Sequence, residues 1–319
     1  MANETSISEF LLLEFSTIRE QQILHFFLFL ALYLAIVTGN LLIISAVAFD
    51  PHLHTPMYFF LMNLAIQDLG SVSAIIPKSM VNSLTDTRDI SYSGCVVQVF
   101  FFVFFVGADF FLLTLMAYDR YIAICNPLQY EVVMNKQACT QMVASVWITG
   151  FLYSVLHTGG TFAATFCSNI VNQFYCEIPQ LLKISCSDSY LTEVGALAVS
   201  AVVEFGCFVF IIVTYVLIFS TVLRMPSVQG RQKAFSTCLP HLIVFSTFVV
   251  TGWFAYLRPP SQTPSDLDLA LTVIYTFVPP MMNPIIYSMR NKDIKVALSK
   301  LFVPLCSTEK TLSSFCAYV

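Results

Sequence analysis

Met116–Cys125 reads MAYDRYIAIC. The stretch closes a long apolar run and sets an Asp–Arg pair, Asp119 and Arg120, at its end. A charge at the edge of a membrane span is costly, so it marks a functional position by default. Adjacent opposite charges can hold each other in one arrangement and part in another. The pair therefore reads as a switch at the cytoplasmic end of a helix.

Composition sets the context. Of 319 residues, 57% are hydrophobic and 11% charged. A soluble domain carries roughly 25% charged residues. The chain is read as a membrane protein, and a net charge of −4 argues against a nucleic-acid partner. Apolar runs of about 20 residues or more are long enough to cross the hydrocarbon. They fall at Phe26–Phe49, Pro56–Met80, Cys95–Ile124, Thr140–Thr161, Val194–Leu223, Ala234–Leu257 and Leu267–Met289. Lipid forces runs of this length into helices, because every backbone group must be satisfied internally. The weaker alternation of a β-barrel is absent. The expected fold is an all-α membrane protein, a seven-transmembrane helix bundle.

With the N-terminus outside, ten Lys and Arg fall on the inner side and five on the outer. That asymmetry favours an extracellular N-terminus and a cytoplasmic C-terminus. The expected parts are an N-terminal tail over 1–25, the receptor domain over 26–289 and a cytoplasmic tail over 290–319. Residues 1–20 carry four Glu and no basic n-region, so no cleavable signal peptide is expected. Asn3-Glu4-Thr5 is a sequon on the outer tail, and Asn3 is the expected glycosylation site. Beyond Arg290, Ile294, Leu298, Leu301 and Phe302 recur at the spacing of a short amphipathic helix lying on the inner leaflet.

Cys95, Cys167, Cys176 and Cys186 fall on the outer side, where an oxidising compartment suggests two bridges. Sequence alone allows three pairings. The outer cysteines lack a C-x-x-C pair or a His partner, which argues against a metal centre.

Five segments, in order and spread over nearly the whole chain, resemble one family. They are GNLLI at 39–43, PMYFFLMNLAIQD at 56–68, MAYDRYIAICNPLQY at 116–130, KAFSTCLPHL at 233–242 and PPMMNPIIYSMRN at 279–291. The chain resembles the tetrapod-type olfactory receptors, a branch of the rhodopsin-like G-protein-coupled receptors. The resemblance implies a receptor at the plasma membrane that is switched by a small volatile odorant. Its partner would be a heterotrimeric stimulatory G protein, and its output a rise in cyclic AMP. It also implies the pairings Cys95–Cys176 and Cys167–Cys186. Departures from the family pattern are Glu14 where Gly is usual, Pro240 where Ser is commoner, and Val249 where an aromatic residue is usual. The Cys167–Cys176 stretch is one residue short.

Asp68 and Asp109 are carboxylates within spans two and three, and the resemblance places them with Asn283 around a sodium ion. The alternative is one protonated carboxyl hydrogen-bonded to the other. Asp119, Arg120, Tyr215 and Tyr287 form the expected G-protein switch, with His241 as a further member. Pro284 removes a backbone donor and leaves span seven able to bend there. Counting helical turns back from Arg120 points Phe102, Val103, Val106 and Gly107 into the bundle. Val199, Ser200, Val203 and Glu204 fall on one side of span five. Val249, Gly252 and Tyr256 of span six and Val273 and Thr276 of span seven complete the expected ligand pocket. It is mostly apolar, which suits a volatile held by burial at ~25 cal/mol per Å². Glu204 has two readings, a ligand contact or a partner for a neighbouring hydroxyl.

A transporter or channel using Asp68, Asp109 and Glu204 is the competing class. The odd span number and the absence of an inverted repeat count against it. No HExxH, GxSxG or phosphate-cradling loop points to an enzyme. A chemosensor outside the nose shares the same sequence logic.

Overall fold

The computed structural model describes residues 7–186, 190–257, 266–290 and 292–308. Among these described residues, seven helices are long and apolar enough to cross a membrane. They are α1 (Arg19–Phe49), α2 (Pro56–Thr85), α3 (Tyr92–Cys125), α5 (Lys136–Phe162), α7 (Tyr190–Arg224), α8 (Val228–Leu257) and α9 (Asp266–Arg290). The short helices α4 (Tyr130–Val133) and α6 (Ile178–Lys183) lie in connections, and α10 (Lys292–Thr308) follows the bundle.

Each apolar run lies inside its helix, and every one of the seven helices overruns its run at one end or both. Local chemistry sets several ends. Ser91 caps α3 by accepting from the Gly94 amide at 3.1 Å, and Asn135 caps α5 by accepting from Ala138 at 2.9 Å. Helix α1 begins seven residues before Phe26, at Arg19. The Arg19 guanidinium donates to the Ser83 and Leu84 carbonyls at 3.1 and 2.6 Å. A cation on the last carbonyls of α2 satisfies orphan acceptors and complements the helix dipole.

Helix α3 is the central element, packed against α2, α5, α7 and α8. Its approach to α5 depends on Gly150: a Cβ there would stand 2.9 Å from Ala108 Cβ and 3.2 Å from the Phe104 carbonyl oxygen. Small residues let membrane helices approach this closely. Trp147 of α5 donates to Asn63 of α2 at 3.1 Å, and Asn40 of α1 donates to the Pro280 carbonyl of α9 at 3.1 Å.

A small sheet covers the end of the bundle where α2 stops and α3 starts. Strand β1 (Glu9–Leu12) lies between β2 (Asp89–Ser91), antiparallel, and β3 (Ile170–Val171), parallel. Phe10 and Leu12 alternate inward and are buried, as the period of two requires. The Phe10 ring meets Phe166 edge-on with centroids 5.4 Å apart. The tail expected over 1–25 is therefore partly structured, and its strand is sewn to two loops.

At the opposite end, α10 docks on the bundle rather than only presenting an apolar stripe. Ile294 and Ala297 are buried, and Leu298 and Leu301 pack on the same cluster. Tyr58 donates to Asp293 at 3.0 Å, and Lys300 pairs with Asp50 at 2.8 Å. The Phe302 side chain lies outside the described residues.

Gly150→Ala should lower the thermal unfolding midpoint of the purified protein, because backbone must move to admit the methyl. Gly159→Ala is the control, since nothing lies within 4 Å of its Cβ position. It should be neutral, or stabilising by up to about 1 kcal/mol through helix propensity. Equal midpoints for the two variants would contradict the α3–α5 contact.

Candidate functional site

Polar side chains concentrate at three levels of the bundle. At the end bearing α10, Arg120 and Asp119 are both buried, the arginine with 9% of its surface exposed. Arg120 Nε donates to Asp119 Oδ2 at 2.9 Å, and a second guanidinium nitrogen contacts the same oxygen. The other carboxylate oxygen, Oδ1, accepts from the Tyr130 hydroxyl at 2.8 Å. Asp119 thus bridges the helix charge to the short helix α4 in the next connection. Sequence reading assigned Tyr130 no role, although it ends the quoted segment 116–130.

Next to this pair, His241 joins three helices. Its Nε2 lies 2.9 Å from the Leu113 carbonyl of α3, and its Nδ1 lies 2.8 Å from the Tyr215 hydroxyl of α7. A carbonyl only accepts, so Nε2 carries the proton and Nδ1 accepts from Tyr215. Tyr287 of α9 is buried, and its hydroxyl has no hydrogen-bond partner among the described residues.

Midway along the bundle, Asp68, Asp109 and Asn283 are buried on α2, α3 and α9. Asn283 Nδ2 donates to Asp68 Oδ2 at 2.8 Å. Asp109 Oδ1 and Asn283 Oδ1 are buried without a partner among the described residues. Orphaned carboxylate and amide oxygens are the hard donors that a small cation takes, so the residue set fits sodium. The same orphan oxygens leave room for the alternative in which one carboxyl is protonated.

The sheet-bearing end is closed by the connection between α5 and α7. Both bridges are formed, Cys95–Cys176 and Cys167–Cys186. The first fastens the connection to α3 and carries its neighbours inside: Gln173, Phe174, Tyr175 and Glu177 are all buried. Gln98 of α3 uses both ends of its amide, donating to the Ala74 carbonyl at 3.1 Å and accepting from the Cys176 amide at 2.8 Å. Gln173 donates to Thr272 of α9 at 2.8 Å. The Tyr275 hydroxyl contacts both Tyr175 and the Glu177 carboxylate. Phe174 and Tyr175 form a lid over Phe102, Val106 and Val273, which share their apolar cluster. Thr276 is buried on the same helix as Val273, its hydroxyl without a partner among the described residues. Sequence reading missed the lid, although Phe174 and Tyr175 directly precede a cysteine that is tied to α3.

The remaining expected pocket residues separate. Val103 packs with the sheet cluster. Gly107 faces Tyr153 of α5, whose ring would lie 3.2 Å from a Cβ. Val199 and Val203 point away from the bundle, 63% and 46% exposed. Ser200 and Glu204 instead meet α5: Ser200 lies 2.7 Å from His157 Nε2, and Glu204 accepts from the Tyr153 hydroxyl at 2.8 Å. Glu204 thus has a neighbouring hydroxyl as a partner. Val249 packs on the core, and open space surrounds the Cβ position of Gly252. The side chain of Tyr256, and Asn3 with its sequon, lie outside the described residues.

A seven-helix bundle closed by a disulfide-anchored loop, with a buried Asp–Arg pair at its other end, has the rhodopsin-like fold. The crystal structure of squid rhodopsin superposes with a TM-score of 0.72, covering 94% of this chain and 92% of that one, at 17% identity. Residues 29–304 match the olfactory receptor family. Human Olfactory receptor 14A16 is 51% identical over 302 residues, covering 94% of this chain and 97% of the relative. Human Olfactory receptor 14I1 is 50% identical over 311 residues, 97% and 100% of the two chains. Gorilla Olfactory receptor 1G1 is 46% identical over 300 residues, 94% and 96% of the two chains. The chain belongs to the olfactory receptor family of G-protein-coupled receptors, and its relatives are receptors rather than enzymes.

Burial raises the pKa of the Glu177 carboxyl, and the hydrogen bond from Tyr275 only partly offsets that. The lid therefore accommodates the neutral acid more readily than the carboxylate. Its stability is full below the ordinary carboxylate range and falls as pH climbs from that range through the raised value. Hydrogen exchange at residues 173–177, corrected for intrinsic rates, should rise across that window. It should stay flat in Glu177→Gln; the same pH dependence in the variant would contradict the assignment.

Proposed function

We propose that this chain is a plasma-membrane odorant receptor with its N-terminus outside, which binds a small apolar volatile beneath the Phe174–Tyr175 lid. It activates a stimulatory G protein of the olfactory type and raises cyclic AMP. The observation that carries the reading is the position of the Asp119–Arg120 pair, buried at the end opposite the disulfide-anchored lid. A ligand at the lid end can reach that pair through α3, which runs between them. Ten inner against five outer cations support the orientation, as do disulfides at the other end.

Phe102, Val106, Val273 and Thr276 are the ligand contacts the packing favours, with Phe174 and Tyr175 above them. Apolar walls with one hydroxyl suit a neutral volatile. Glu204, Ser200, His157 and Tyr153 form a separate polar seam between α5 and α7, which a ligand amine would have to open. On activation Arg120 leaves Asp119 and turns toward the G protein, supported by the hydroxyls of Tyr215 and Tyr287. Asp68, Asp109 and Asn283 would hold the sodium ion, which would supply positive charge against the two buried carboxyls.

The test is cyclic AMP in cells co-expressing the olfactory stimulatory G protein, across a panel of volatiles, with surface staining alongside. A volatile that activates the wild type should give no response in Arg120→Ala at equal surface density. A retained response would contradict the switch assignment. Asp68→Asn should abolish the dependence of that response on sodium, measured against potassium at constant ionic strength. Unchanged sodium dependence would remove the cation from the account.

A further inference from the structure

A cavity of about 670 Å³ opens on the outside of the bundle, between α2, α3 and strand β2. Its lining includes none of the polar-core or Arg120 residues, and it meets the lid connection only through Gln98 and Ile90. Gly70 and Phe105 form its inner end; the ring of Phe105 sits directly over Gly70, within 2.5 Å of where a Cβ would be. Val97 and Phe101, 53% and 43% exposed, form its outer wall. Lys78 stands at the opposite end, eight residues or about 12 Å along α2 from Gly70.

The polar groups that line this cavity are already engaged, with one exception. Ser73 shares a hydrogen bond with the Tyr33 hydroxyl at 3.0 Å. Gln98 is engaged at both ends of its amide. Ser91 accepts from the Gly94 amide. The ion pairs among the described residues are Arg120–Asp119 and Lys300–Asp50, so the Lys78 ammonium has no carboxylate partner there. The first turn of α3 opens onto the same end and adds the positive pole of a helix dipole. A trough with an apolar wall of Val97, Phe101 and Phe105, its neutral polar groups engaged, and a cation at one end matches an amphiphile with one tail and one anionic head.

We propose that this cavity binds a long-chain fatty acid, its tail along Phe101 and Phe105 and its carboxylate on Lys78. The volume is that of a small-molecule site, within the range of roughly 300–1,000 Å³. A single trough between two helices accepts one chain, which argues for a free fatty acid over a two-chain phospholipid. Lysine suits the head because its stem can lie on apolar surface while the ammonium stays at the interface.

The experiment uses the full-length receptor in phosphatidylcholine nanodiscs and an 18-carbon fatty acid bearing a diazirine. After photolysis, labelled peptides are mapped by mass spectrometry. Label is expected to concentrate on residues 70–78 and 94–105, and oleate should displace it at concentrations at least tenfold below those needed for oleyl alcohol. Lys78→Gln should weaken displacement by oleate about tenfold. Val97→Trp, which fills the trough and leaves Lys78 intact, should remove the label at both segments. Melting temperatures of both variants serve as folding controls, and the wild-type competition decides the headgroup even where a variant fails to fold. Label spread evenly over the lipid-facing helices would overturn the site. Equal competition by oleyl alcohol would overturn the role of Lys78. Equal competition by phosphatidylserine would overturn the single-chain occupant.

Discussion

Arg120 is a fixed cation inside a bundle that has little water to solvate it. An arginine cannot neutralise by losing its proton, so it must be paired. Removing the partner of a buried ion pair costs about 3–5 kcal/mol. Asp119 supplies the pairing from the next position on the same helix, and Tyr130 satisfies the other carboxylate oxygen. Tyr130 is carried by α4, so the second carboxylate oxygen is satisfied only while α4 stays docked. A buried pair of this kind contributes little net stability compared with an apolar substitute. Under the proposed function its value is that it can part, which a smoothly packed apolar core cannot do.

Helix α3 connects this pair to the lid. Cys95 near its start is bonded to Cys176, and Gln98 one turn later holds the Cys176 amide. Phe102 lies under the lid, Asp109 sits in the polar core, and His241 grips the Leu113 carbonyl just before the switch. A displacement at the lid is therefore applied to the same rigid element that carries Arg120. Gly150 sets how tightly α5 holds that element, since the two backbones are separated by little more than a missing methyl group.

The seven spans were legible because lipid removes alternatives: a long apolar run without water must be a helix. Their ends were less legible, because they depend on distant partners such as Arg19 on the carbonyls of α2. Strand β1 was hidden for the same reason, since its pairing partners are loops remote in sequence. The residues alone left three cysteine pairings, and only the resemblance separated them. Lid residues carried no periodic signal, and their burial follows from a covalent bond rather than a pattern. The α7 positions show the deepest difficulty. In a membrane, a valine facing lipid and a valine facing protein look alike, so nothing in the apolar sequence sets the rotation of a helix. Ser200 and Glu204 were the informative residues there, and both turn toward polar groups on α5, while Val199 and Val203 turn away from the bundle.

Under the proposed function, Asp119 and Tyr130 hold Arg120 at rest. The most direct measurement is ligand-free cyclic AMP per surface receptor in Tyr130→Phe and Asp119→Asn beside the wild type. Tyr130→Phe keeps the ring and removes one hydrogen bond, worth about 1.5–3 kcal/mol when one partner is charged. The account predicts basal signalling above wild type in Tyr130→Phe and higher still in Asp119→Asn. Basal signalling at or below wild type in both variants, at matched surface density, would contradict it.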